Sequence, residues 1–311
     1  MGLPQVEVGI IGGSGFEVDD FVEGERVAVG KTPFGRPSDD YVIGELGGVG
    51  VAILNRHGRF HNTPPHKIPA QANIFGFKKL GVEKLIAVSA VGSLQPHIAP
   101  QDLVVPDQLV DDTVRGQRTF FDDIAVHVAF AEPFCSDLRT NLITAARDTG
   151  ATVHPTGTYV CMEGPQFSTQ EESRHNQRQR RVVIGMTASP EAKLAREAEM
   201  CYAILALSTD RDAWAKEAVT AQMVSTNMQV NIERAKETLR KLVPVLGLGS
   251  RAVACSCQQA LDGAIMTKPE GISSKHRRQL APLIGEYFPA PSRRLNYFGR
   301  ITHAKPPQRT N

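Results

Sequence analysis

The chain has 311 residues, enough for one large domain or two small ones, and its 41% apolar share with 27 Gly and 20 Pro fits a globular, loop-rich α/β protein. Its 35 basic and 33 acidic side chains leave a formal charge of +2, a balance that argues against nucleic acid or a membrane surface as partner. No apolar run approaches the ~20 residues of a bilayer span, the stretch Met1–Val8 lacks a signal-peptide layout, and five cysteines are the sparse, odd count expected of a reduced cytoplasmic protein.

In chain order, Val6–Ile11 reads as a buried strand that runs into Gly12-Gly-Ser-Gly15. Glycine backbone and the Ser14 hydroxyl can approach an anion there, but the motif is neither a P-loop nor G-x-G-x-x-G and alone reads as a tight turn. Residues 50–54 form a second strand and end in Asn55-Arg-His-Gly-Arg59. Arg56 is a natural fork for phosphate, and His57 can donate or accept; the plainer alternative is a solvated basic turn. His57, His61 and His66 have no neighbouring carboxylate and no H-E-x-x-H frame, so no metal is assigned to them. A helix is predicted over 69–80, stopped by Gly81. A third strand over 83–90 brings Ser89 to its end, just before Val91-Gly-Ser93. Three strand ends bearing anion-friendly groups weigh more together than singly. Residues 102–110 read as one strand with Pro106 at an edge or bulge. The polar and aromatic stretch 111–133, long for a loop and carrying His127, is a candidate lid.

Further on, the patterns predict a helix over 136–149, an alternating strand over 156–163, and a helix opened by a capping box at Ser168-Thr-Gln-Glu171. That helix carries the basic run Arg174–Arg181, which has no apolar face and reads as solvated. A strand over 182–187, helices over 190–200 and 222–245, a short element over 260–267 and a loose tail from 287 complete the chain. Cys255-Ser-Cys257 is not a C-x-x-C motif, and no second Cys or His pair is evident to complete a zinc set, so it reads as structural, with a redox-sensitive pair as the alternative. The apolar run from Cys201 stops at Ser208-Thr209 and delivers Asp210 and Asp212. If the extended conformation persists, the two carboxylates share a face and can serve as an acid and a hydrogen-bond acceptor. Asp210 capping a turn is the bland alternative. Alternating strands and helices without a linker point to a single α/β domain.

The chain carries, in order, Gly12-Gly-Ser-Gly15, Thr32-Pro-Phe-Gly-Arg-Pro-Ser38, Arg56-His-Gly-Arg59, Gln71-Ala-Asn73, Ser89–Ser93, Ala131-Glu-Pro-Phe134, Glu163–Phe167, Gly185-Met-Thr187, Pro190-Glu191 and Thr209–Trp214. It resembles the trimeric purine nucleoside phosphorylase family, in the branch that cleaves 5′-methylthioadenosine, across residues 5–285. The resemblance implies a single domain, 1–286, with a central mixed, partly barrel-like sheet flanked by helices, followed by a basic tail, 287–311. It implies phosphorolysis of the nucleoside to adenine and 5-methylthioribose 1-phosphate, with phosphate as co-substrate, no cofactor, no metal and a homotrimer. On matching positions, Ser14, Arg56, His57, Ser89, Ala90 and Thr187 become the phosphate cradle, Met186 the ribose floor and Phe167 the ring on the base. Thr209, Asp210 and Asp212 become the base-recognition group, with Asp210 as the catalytic acid at N7. His127 is lent to the neighbouring subunit's pocket, and Ala221 and Val224 line the substrate pocket, Ala221 near the 5′ group. A protonated Asp can donate to N7 and accept from a 6-amino group, which favours adenine over hypoxanthine. The basic run replaces the apolar contacts usual before Gly185, and the loop after Trp214 is short. A purine nucleoside phosphorylase acting on adenosine or methylthioinosine and a silent nucleoside-binding paralogue are the rival readings.

Overall fold

The computed structural model describes residues 2–16, 18, 21–215, 221–247 and 255–288, with 221–225 described by backbone alone. The strands are β1 (Val8–Gly12), β2 (Gly24–Val27), β3 (Tyr41–Leu46), β4 (Val49–Asn55), β5 (Lys84–Ser93), β6 (Leu103–Val104), β7 (Gln108–Asp112), β8 (Val153–His154), β9 (Thr158–Met162), β10 (Val183–Gly185) and β11 (Cys201–Asp210). The helices are α1 (Ala70–Lys79), α2 (Ser136–Arg147), α3 (Gln170–Arg178), α4 (Ala188–Glu197), α5 (Ala221–Gly247), α6 (Ser274–Gln279) and α7 (Ala281–Ile284).

Strands covered on both faces lose the in–out alternation of a half-exposed strand and read as continuous apolar runs. β1 and β11 are such strands, buried at every residue. Along β11, Tyr202, Ile204 and Ala206 join the core on the α1 and α4 side, while Ala203, Leu205 and Leu207 join the core under α2 and α5. The strand order β2-β3-β4-β1-β5-β10-β9-β7 forms one mixed path, and β11, β6 and β8 branch from it at β5. The sheet is flanked by helices and does not close into a barrel.

The branch at β5 makes the site. Along one edge, Lys84–Ala87 pair in parallel with β1, whereas Gly92 and Ser93 pair antiparallel with β10. β11 accompanies the other edge from Lys84 to Gly92. Between Ala87 and Gly92 the first edge has no strand neighbour among the described residues, so the sheet parts there. Such a parting at the carboxyl end of parallel strands is where open α/β sheets take their ligands.

Several expectations change. The strand over 102–110 is two strands, because Pro106 cannot continue a ladder: β6 pairs with β11, and β7 pairs with β9. The capping box is Thr169 with Glu172, one residue later than the motif suggested. The candidate lid is fastened rather than free. Arg115 donates to the carbonyls of Ser189 and Glu163, Thr119 and Phe120 donate to Glu197, and Phe120 and Phe121 are buried. Cys255 and Cys257 do have a second pair, since Cys135 and Cys201 converge on them. β2 and β3 form an antiparallel pair that the sequence reading does not predict; β2 has little apolar pattern, whereas β3 buries Tyr41 and Val42. At the C-terminal end, the loose tail expected over 287–311 does not begin at 287, since Tyr287 donates to Glu199 at 2.6 Å and Phe288 packs on the core; residues 289–311 lie outside the described residues.

Candidate active site

The first strand ends of the site belong to β1 and β4. Gly13 follows β1, and a Cβ added there would stand 2.6 Å from the Val88 carbonyl oxygen and 3.0 Å from Arg56 Nη1. Only glycine allows that approach, so the tight turn holds the Ser14 loop against β5 and Arg56. Arg56 follows β4, is 1% exposed, and donates from Nε and Nη2 to the two oxygens of Glu191 at 2.5 and 3.1 Å. Its Nη1 donates to the Val88 carbonyl at 2.9 Å. Three of the five guanidinium N–H donors are thus engaged, leaving one on each terminal nitrogen. Burial alone would disfavour the cation, but the Glu191 carboxylate more than offsets it and holds the Arg56 pKa up. Tyr202 donates to Glu191 at 3.0 Å and fixes the carboxylate in turn.

His57 behaves differently. Its Nδ1 lies 2.8 Å from the Thr63 carbonyl, so Nδ1–H is the donor and Nε2 carries the lone pair. Burial, aided by the Arg56 charge, lowers its pKa to about 4. The imidazole is therefore neutral at physiological pH. Because the folded-state pKa lies below the ordinary value of 6.5, the unfolded chain binds the extra proton first. Stability contributed by this group is present above pH 6.5 and is lost as pH falls towards 4, about 3 kcal/mol in all. An NMR titration should place the His57 ring proton shift near pH 4; a midpoint near 6.5 would contradict the buried neutral ring.

Ser89 sits in the parted segment of β5, 3% exposed, with its hydroxyl 3.2 Å from Thr187 Oγ1 and 3.1 Å from the Tyr159 hydroxyl. Thr187 ends the chain's exit from β10 and begins α4. Burial raises the Tyr159 pKa to about 12, so that phenol stays a neutral donor.

Across the gap, β11 delivers the carboxylates. Thr209 Oγ1 lies between the Val91 carbonyl, 3.2 Å away, and Asp210 Oδ2, 2.8 Å away. The amide of Asp212 donates to Asp210 Oδ1 at 2.8 Å. β11 stops at Asp210, and Asp212 adopts φ +41, the left-handed region that Asp tolerates. The pair therefore converges through a side-chain-to-backbone turn, and not by continued strand alternation. Both carboxyls are nearly buried, and burial pushes both pKa values up. Asp212 Oδ2 has no hydrogen-bond partner among the described residues, a buried acceptor left open. From α5, Asn227 and Asn231 donate to the Thr209 and Ser208 carbonyls at 2.7 and 2.8 Å, and Trp214 Nε1 donates to the Ser93 carbonyl at 2.7 Å. These anchor the strand end and the turn after it.

One cavity of about 220 Å³ collects these groups. Ser14, Arg56, His57, Ser89, Ala90 and Thr187 line it together with Phe167, Met186, Thr209, Asp210 and Asp212. Phe167 is 53% exposed at the rim. His127 lies elsewhere, exposed, on the segment whose amide pairs with the Ala264 carbonyl. The side chains of Ala221 and Val224, and the loop 216–220, lie outside the described residues. Sequence reasoning missed Glu191 as the partner of Arg56, although the Pro190-Glu191 pair was visible; it also missed Tyr159, Asn227 and Asn231.

A cavity lined by hydroxyls and a guanidinium as well as by buried carboxyls fits an anion and a heterocycle. The family model of the phosphorylase superfamily matches residues 7–244. The chain belongs to the phosphorylase superfamily. It is 48% identical over 264 residues to the S-methyl-5′-thioadenosine phosphorylase of Hyperthermus butylicus, covering 84% of this chain and 96% of that one. The enzyme of that name from Chloroflexus aurantiacus is 48% identical over 287 residues, covering 90% and 98%. Among solved structures, a methylthioadenosine phosphorylase from an antarctic soil metagenomic library superposes with a TM-score of 0.83 at 41% identity, covering 90% of this chain and 99% of that one. The Schistosoma mansoni methylthioadenosine phosphorylase in complex with adenine gives 0.79 at 34% identity, covering 84% and 98%.

Proposed function

We propose that the chain catalyses phosphorolysis of S-methyl-5′-thioadenosine to adenine and 5-methylthioribose 1-phosphate, a pentosyl transfer. The observation that carries this reading is the single cavity lined both by the Arg56, Ser89 and Thr187 donors and by the Asp210–Asp212 pair. The relatives described above carry the same activity in their names.

A phosphate oxygen attacks C1′, the C1′–N9 bond breaks, and its electron pair enters the purine. That leaving group is poor unless N7 gains a proton, and Asp210, whose carboxyl burial pushes towards the protonated form, is the donor assigned to it. Asp212 Oδ2, the open buried acceptor, receives a hydrogen bond from the 6-amino group. Glu191 cancels the charge of Arg56, and His57 is neutral, so the cradle holds phosphate by directed donors with almost no net charge. The negative charge of the phosphate is then left to stabilise the cation-like ribosyl centre, where electrostatic stabilisation of the transition state acts most strongly. Ser14, Ala90 and Thr187 complete the cradle, Met186 packs under the ribose, and Phe167 covers the base. The enzyme uses phosphate as co-substrate and needs no cofactor. It works as a homotrimer in the cytoplasm, in purine and methionine salvage, with His127 completing a neighbouring subunit's pocket.

The test is a comparison of methylthioadenosine, adenosine and methylthioinosine, each with and without phosphate. Methylthioadenosine should have the highest kcat/KM, and its turnover should require phosphate. Preference for methylthioinosine would overturn the assignment of Asp210 and Asp212 to an aminopurine.

A further inference from the structure

Far from the cavity, Cys135, Cys201, Cys255 and Cys257 bring their four sulfurs within 4.8 Å of one another. The Cys201 and Cys255 sulfurs are 3.1 Å apart. Cys201 opens β11 and Asp210 closes it, so the cluster stands roughly 30 Å along the strand from the catalytic carboxyl. Cys135 immediately precedes α2, and Cys255 and Cys257 start the segment 255–288.

We propose that these four thiols form a tetrahedral thiolate site for one zinc-class metal ion, which fastens the segment 255–288 to the start of β11. A tetrahedral ion with Zn–S bonds of ~2.3 Å sets its sulfurs ~3.8 Å apart. The separations here, from 3.1 Å to a limit of 4.8 Å, bracket that value, so small side-chain rotations complete the geometry. Two disulfides would need only two close pairs, each with bonded sulfurs ~2 Å apart, and not convergence of all four on one point. The donor set is all sulfur, which selects soft, tetrahedral metals over calcium or magnesium. Cys135, Cys201 and Cys257 are buried, which shields the site, while half-buried Cys255 borders a surface cleft that gives an ion access. Cys135 stands at the N-terminal end of α2 without capping it by its own side chain, and the positive end of that helix favours a thiolate.

Binding forms four metal–sulfur bonds and releases the thiol protons to solvent, with no electron transferred. Three distant parts of the chain become joined at one vertex. The neighbouring contacts of the segment, Gln258 to Glu83 and the Leu261 amide to Glu199, already hold it against the body. The metal therefore adds stability and leaves the chemistry untouched.

The experiment is elemental analysis of the full chain, purified without a histidine tag and after incubation with equimolar zinc. One equivalent of zinc or iron per chain is expected, and cobalt substitution should produce thiolate-to-cobalt charge-transfer absorption. The C255S/C257S double variant should lose the metal and melt at a lower temperature while kcat and KM for methylthioadenosine hold near wild type. If that variant does not fold, the wild type itself supplies the readout, because a chelator should lower its Tm and zinc restore it. Absence of stoichiometric metal, or an intact mass that shows two disulfides in the unreduced chain, would overturn the proposal.

Discussion

Replacing Asp210 with Asn is expected to lower kcat for adenine release by about 10²–10⁴-fold, the usual worth of a positioned acid, while the fold survives. The amide is close to isosteric and keeps an acceptor for the Asp212 amide, which lies 2.8 Å from Oδ1 in the wild type. It cannot deliver a proton to N7. The kcat should fall more than KM rises, since the lost interaction belongs to the transition state. Steady-state kinetics with methylthioadenosine, together with a melting curve, separate this from unfolding. Unchanged kcat would remove Asp210 from the acid role.

The second large effect concerns Glu191, which touches no substrate in this account but holds Arg56. Glu191→Ala leaves a guanidinium that is 1% exposed without its bidentate partner. Removing one member of a buried pair costs about 3–5 kcal/mol, mostly from the stranded charge. Thermal unfolding should therefore shift down sharply. The KM for phosphate should rise more than that for the nucleoside. A variant as stable as wild type would mean that Glu191 does not neutralise Arg56.

The centre of this fold is legible in the sequence because β1, β4, β5 and β11 are covered on both faces, and burial of that kind writes itself as short apolar runs. Their ends carry Ser14, Arg56, Ser89 and Asp210, and the run-out of each strand is visible as a change of composition. What could not be read is contact between distant segments. Arg56 and Glu191 are 135 positions apart, and nothing local to Pro190-Glu191 says which cation it meets. Cys135 and Cys201 likewise gave no hint of meeting Cys255 and Cys257. Asp212 was placed beside Asp210 for the wrong reason: alternation was assumed, whereas the left-handed turn at Asp212 does the work. β2 is hard to read because Gly24–Val27 is exposed or half-exposed and carries almost no apolar pattern. The 111–133 stretch looked like a lid because it lacks periodicity, yet Arg115, Thr119 and Phe120 tie it down through side-chain bonds that periodicity does not register.

Phosphate as nucleophile is the central claim, and ³¹P NMR of the reaction mixture tests it most directly. With methylthioadenosine and inorganic phosphate, a sugar 1-phosphate resonance should appear in step with adenine, and omission of phosphate should stop adenine release. Adenine appearing at the same rate without phosphate, with free methylthioribose as the co-product, would make the enzyme a hydrolase and contradict the cradle built from Ser14, Arg56, Ser89 and Thr187.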